Sequence, residues 1–184
     1  RYLTGGHGLN WVNTLELGAG LIATGGVDLQ RQTIEVEGSY DRGRQVQALF
    51  GALQWRQGAQ DLALALRHDH VQGVGSHTSG SLGVGLQLAP AWKLIAQVAN
   101  AFNAPPLGYL HAPFFGNPGL QPELSGSVEA GLQYAAGRQR VRATLFATHV
   151  KQELDYDPVA RRFAVLTLLL ALAVAGVHRD QRAL

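Results

Sequence analysis

The chain has 184 residues, 46% of them hydrophobic and only 15% charged, where an ordinary soluble domain carries roughly 25% charge. Lys and Arg number 15 against 13 Asp and Glu, and cysteine is absent. A disordered chain, a disulfide scaffold and a thiolate metal centre are therefore excluded, and a dedicated nucleic-acid binder is disfavoured because no basic cluster stands behind the small positive surplus.

Taken from its start, the sequence alternates with period two. Trp11, Leu15, Leu17, Ala19 and Leu21 are interleaved with Thr14, Glu16 and Gly18, and a second strand is predicted over Thr24 to Val36. Further alternating stretches run from Arg44 to Trp55 and from Asp61 to Asp69. From His77 to Leu88, the apolar set Leu82, Val84, Leu86 and Leu88 faces away from Ser79, Ser81 and Gln87. Trp92 to Phe102 repeats the pattern. In Glu123 to Tyr134, the even positions Leu124, Val128, Ala130, Leu132 and Tyr134 oppose Glu123, Ser125, Ser127, Glu129 and Gln133. Arg140 to Lys151 completes the series. Successive strand residues point to opposite faces, so each segment has one apolar and one polar side.

Short links are predicted at Gly18–Gly20, Gly58–Asp61, Ala89–Ala91 and Ala136–Gln139, and long ones at Glu35–Gly43, His70–Ser76, Asn103–Pro122 and Glu153–Arg161. Long strands with tight turns at one end and large loops at the other are the pattern of a transmembrane β-barrel. A soluble sandwich or lipocalin-like barrel also alternates, but its strands are shorter. Hydrocarbon cannot satisfy polar groups, so the apolar set is expected to face lipid and the Ser, Gln, Glu and Arg set to line an aqueous interior. Trp11, Trp92 and Tyr134 are expected at the membrane interfaces. After Phe163 the alternation stops: Ala164 to Val177 is apolar at nearly every position. At about 14 residues this run is shorter than the roughly 20 a spanning helix needs, although its Leu and Ala favour a short helix. Residues 164–184 are expected to be a tail foreign to the preceding pattern, from a frameshift or truncation. With Arg1 at the start and no methionine, residues 1–163 read as part of a larger protein.

The motif Ala101-Phe102-Asn103-Ala104-Pro105-Pro106, followed by Gly116-Asn117-Pro118-Gly119-Leu120-Gln121-Pro122-Glu123-Leu124-Ser125 and by Glu129-Ala130-Gly131-Leu132, resembles the barrel of TonB-dependent outer-membrane receptors. Arg67-His68-Asp69-His70 and Gly75-Ser76-His77-Thr78 also fit, the latter most like the vitamin B12 (cobalamin) branch. Asn103 and Leu124 depart from the family's usual charged residues. The resemblance implies an all-β fold: an antiparallel meander of about eight or nine long strands, a fragment of a large plugged barrel in the bacterial outer membrane. It also implies active import of a scarce nutrient, cobalamin first and a ferric siderophore second, with TonB engaged through a plug domain absent from this sequence. No enzymatic step and no cofactor are expected. A small self-contained barrel with a structural or binding role is the remaining alternative.

Within that reading, Phe102, Ala104, Pro105, Asn117, Pro118, Leu120, Pro122, Glu123, Glu129 and Gly131 are motif positions with structural roles. The Asn103–Pro122 loop supplies candidate ligand contacts in Tyr109, His111, Phe114, Phe115 and Asn117: aromatic planes with a few polar groups, suited to a large ligand. His68 and His70, with Asp69 between them and His77 nearby, raise a metal site that a polar loop edge explains better. Ser76, Ser79 and Ser81 lack the base and elbow of a hydrolase.

Overall fold

Each strand pairs with the next one in the chain, and a nine-stranded antiparallel sheet results, in the order β1 to β9. In the computed structural model the backbone is described for residues 2–157 and 162–179, and side chains for residues 3–154. The strands are β1 (Tyr2–Gly18), β2 (Leu21–Val36), β3 (Tyr40–Gln57), β4 (Gln60–Val71), β5 (Gly75–Ala89), β6 (Trp92–Asn103), β7 (Glu123–Ala136), β8 (Gln139–Asp157) and β9 (Arg162–Arg179). One short helix, α1 (Leu107–His111), lies in the link between β6 and β7.

The four tight turns form where Gly, Ala and Pro mark them. Gly18, Gly20, Gly58 and Gly137 all have positive φ, which glycine adopts without a Cβ clash. Two of the predicted long links are in fact short. Glu35–Gly43 and His70–Ser76 are mostly strand, leaving only 37–39 and 72–74 as turns. Their polar residues suggested loops, but strands that project past the membrane into water have no need of an apolar face. The large loop between Asn103 and Glu123 is present as expected, and residues 158–161 lie outside the described residues.

β1 likewise starts at Tyr2, which puts Trp11 inside the strand opposite Val27 rather than near its end. The apolar stretch is not a helix: Arg162–Arg179 pairs along β8 from Gln139↔Arg179 to Asp157↔Arg162. Edge donors and acceptors on β8 favour strand addition over the local helix propensity of Leu and Ala. Gln152, at the register shift in this pair, has φ 60°.

The two faces of the sheet differ as the alternation requires. On one face Leu82, Val84, Leu86, Val98, Val128 and Leu132 are exposed, in cross-strand register such as Leu82↔Val98↔Val128. Trp92 and Tyr134 pack at 4.9 Å beside two tight turns on this same face. The opposite face carries the polar networks and is covered at its far end by the long loop. Among the described residues, buried side chains are few; the apolar ones are Ile34, Ala48, Val71, Pro105, Leu107, Leu110, Leu120 and Pro122. The sheet is thus organised around a wall rather than a core.

Candidate functional site

The inner face is tied together by charged side chains that reach across an intervening strand. In an antiparallel sheet, residues two strands apart lie roughly 10 Å from each other, so only long side chains over a small neighbour can meet. Arg67 on β4 reaches Asp28 on β2 at 3.1 Å, passing over buried Ala48, and also holds Asp69 at 3.0 Å. Its guanidinium lies 5.8 Å from the Phe50 ring centroid, within cation–π range. Phe50 in turn covers Gly26, where a Cβ would meet the ring at 2.6 Å.

Near the tight-turn end, Asp61 on β4 takes Lys93 from β6 and Arg56 at 2.6 Å. The strand between them contributes Gly85, where a Cβ would come within 2.9 Å of the Lys93 side chain and 3.1 Å of the Asp61 carboxylate. Gly85→Leu is therefore expected to separate the pair and to cost about 1–3 kcal/mol as an overpacked wall. Chemical unfolding of the protein in lipid checks this, with Gly83→Ala, which meets only ordinary contacts, as the comparison.

The loop between β6 and β7 folds back over the same face. Arg44 on β3, itself buried, donates from Nε to Gln32 Oε1 at 2.7 Å and from Nη1 to the Pro105 carbonyl at 2.6 Å. Pro105 is fully buried, and Leu107, Leu110 and Leu120 are buried with it. A cavity of about 370 Å³ remains beneath, lined by Gln32, Ile34, Arg44, Asn103, Pro106 and Leu107 among others. Glu123 anchors the loop's return, accepting from Asn103 Nδ2 and from the Leu154 amide, each at 2.7 Å. At the other motif positions, Phe102 stacks on His77 at 4.2 Å, and Ala104 is half-buried and Pro122 buried. Glu129 receives Arg142 at 2.7 Å. Gly131 is buried, with Thr144 Oγ1 3.0 Å from the position of a Cβ.

Of the ligand candidates, the loop brings three together. The Asn117 amide donates to the Tyr109 carbonyl at 2.8 Å, and Asn117 Oδ1 accepts from the Gly119 amide at 3.0 Å, a local turn of the kind Asn favours. Pro118 follows, exposed. His111 ends α1, half-buried. Phe114 and Phe115 are left outside: Phe114 is fully exposed at φ 71°, a left-handed conformation costly for a bulky residue.

Burial, and then the nearby Arg42 and Arg44, hold the His111 pKa below its ordinary value. The docked loop thus prefers the neutral ring, and this preference favours docking fully above the unfolded value near 6.5. As pH falls below that value toward the lower folded one, the contribution is lost. Proteolysis of residues 104–122 is accordingly expected to be faster at pH 5 than at pH 7.5, with the His111→Gln protein showing a smaller difference.

The histidines of β4 do not gather with Asp69. Asp69 pairs with His77 on the inner face, whereas His68 and His70 lie on the outer face against Thr78 and Ser76. Among the described residues no group of three or more His, Asp or Glu could hold a metal ion. Arg42 and Arg44 were not singled out in the sequence. Their chain positions carry no sign that Arg44 would meet Pro105, and Arg42 fell in a stretch that looked like a loop.

Known structures share this architecture. The siderophore receptor PirA from Pseudomonas aeruginosa is 18% identical at TM-score 0.81, matching 90% of this chain and 38% of that one. A mutant of the ferric enterobactin receptor PfeA from Pseudomonas aeruginosa is 21% identical at TM-score 0.71, over 94% of this chain and 31% of its own. The copper transporter OprC is 17% identical at TM-score 0.75, over 88% and 32%. The chain therefore spans about a third of the receptors it matches. The family model described as TonB dependent receptor-like, beta-barrel matches residues 2–171, so a wall of long meandering strands, apolar outside and salt-bridged within, belongs to the β-barrel of the TonB-dependent receptor family, whose members reside in the bacterial outer membrane.

Proposed function

We propose that the chain forms part of the barrel of an importer for a ferric siderophore, with cobalamin as the second reading. The observation that carries this is the cationic character of the inner face under the loop. The charges of Arg42 and Arg44 act on His111 there, and the loop carries Tyr109 and Asn117, with Phe114 and Phe115 exposed on its surface. Guanidinium groups under a loop that carries aromatic side chains suit an anionic iron chelate that itself carries aromatic rings. A corrinoid offers no comparable negative charge. The receptors named above support the same choice, since PirA and PfeA are described by siderophores and none of the three by cobalamin. The ligand is moved without being chemically altered, and the energy comes through TonB and a plug domain elsewhere in the protein.

The test is equilibrium binding to the intact receptor in detergent, with a ferric tricatecholate and cyanocobalamin offered separately. Preferential binding of the iron chelate is expected, weakened about tenfold by Arg42→Ala, roughly the 1.5 kcal/mol of one charged hydrogen bond. Tight binding of cyanocobalamin with no affinity for the chelate would reverse the choice.

A further inference from the structure

The outer face changes character abruptly along β2, β3 and β4. Leu29, Leu49 and Leu66 are the last exposed apolar residues there. The next outward positions are Arg31, Gln47, His68 and His70, all exposed, with Gln47 opposite both Leu29 and His70. The height of this change can be gauged on β5, where the outward positions from Leu88 to Gly80 cover roughly 20 Å of membrane normal at the usual strand tilt, close to the ~25 Å apolar band of such barrels. The patch therefore stands at the headgroup level of the leaflet on the side of the long loop.

Its side chains are basic or neutral and include no carboxylate. His68 Nδ1 is engaged by Thr78 Oγ1 at 2.8 Å and His70 Nδ1 by Ser76 Oγ at 2.9 Å. These two cross-strand pairs fix both rings and leave each Nε2 without a partner among the described residues. Arg31 makes no ion pair among the described residues either. The carboxylates of these strands lie elsewhere: Asp28 and Asp69 are turned inward to Arg67, and Glu35 and Asp41 pair farther along, roughly 13 Å beyond Arg31. A free guanidinium and two oriented imidazoles at the edge of hydrocarbon match a phosphate group, which arginine binds bidentately.

We infer that Arg31, Gln47, His68 and His70 form a docking surface for the phosphorylated headgroup of an outer-leaflet lipid. The acyl chains would lie along the Leu62–Leu64–Leu66 stripe directly below, so one lipid molecule would satisfy both halves of the surface. This surface lies on the opposite face from the nutrient contacts and does not depend on which nutrient is carried.

The probe is lipid A, a bisphosphorylated glycolipid, titrated into the intact receptor in a non-ionic detergent and counted by native mass spectrometry. The Arg31→Ala/His68→Ala/His70→Ala protein is expected to bind lipid A at least tenfold more weakly, while Gln97→Ala on the inner face binds it as the parent does. If the triple variant does not fold, Arg31→Gln alone is expected to weaken binding three- to tenfold. Unchanged lipid A binding in a folded variant, or displacement of the lipid by 10 mM inorganic phosphate, would overturn the inference; the latter would mark a site for free anions.

Discussion

Replacing Leu82 by Arg is expected to destabilise the membrane-inserted protein by about 1–3 kcal/mol, between the interface and midplane costs, whereas Arg at the adjacent Ser81 shifts stability by no more than about 1 kcal/mol. The two positions are neighbours in sequence but lie on opposite faces. Leu82 is 42% exposed, in a cross-strand row with Leu64 and Val98. Row, exposure and polarity together put it against hydrocarbon, where a guanidinium must shed its hydration or deform the bilayer. Ser81 pairs with Ala65 and Ala99 on the wall that carries the charged networks, where a further cation remains solvated. Unfolding by guanidinium in lipid vesicles measures both variants. Equal costs at the two sites would mean that the faces are wrongly assigned.

Arg44→Ala is expected to release the loop between β6 and β7. Arg44 hydrogen-bonds both the wall, at Gln32, and the loop, at the Pro105 carbonyl. Its removal leaves the fully buried Pro105 without this donor. Hydrogen bonds to a charged group are worth about 1.5–3 kcal/mol, so the open population of the loop should rise by a factor of roughly 10 to 100. Hydrogen exchange at the Leu107–His111 amides reports the opening directly, and protease sensitivity at the exposed Phe114 gives a second reading. Arg44→Lys keeps the charge but cannot serve both acceptors from one planar group, so it should fall between the two. Strand amides such as those of Gly83 and Ile95 should exchange as before, since the sheet does not depend on the loop.

Much of the barrel wall could be read directly from the residues. Alternation in Leu82–Leu88 and Glu123–Tyr134 identifies strands and also their faces, because the period of two is a purely local property of extended backbone. Gly18, Gly58 and Gly137 mark turns for an equally local reason. Errors arose where local signals are weak. The polar stretches around Asp41 and Gln72 looked like loops, because nothing in an isolated polar segment shows whether a neighbouring strand will pair with it. The state of the apolar run within β9 was left open, because the helix propensity of Leu and Ala is local while the open edge of β8 is not.

For the candidate site, the sequence supplied the loop and its aromatic residues but not their supports. Tyr109, His111 and Asn117 could be named from composition and motif, yet only the folded chain brings the charges of Arg42 and Arg44 to bear on His111. The same holds for Arg67, whose partners Asp28 and Asp69 lie on different strands, and for Gly85, whose value lies in the pair it lets meet. The sequence by itself determined the strand order, the lipid-facing set and the family, since each depends on neighbours a few positions apart. Tertiary structure alone decided which charges neutralise one another, where the long loop rests and which histidines face outward, because these depend on cross-strand register and on contacts between residues such as Arg44 and Pro105, 61 positions apart.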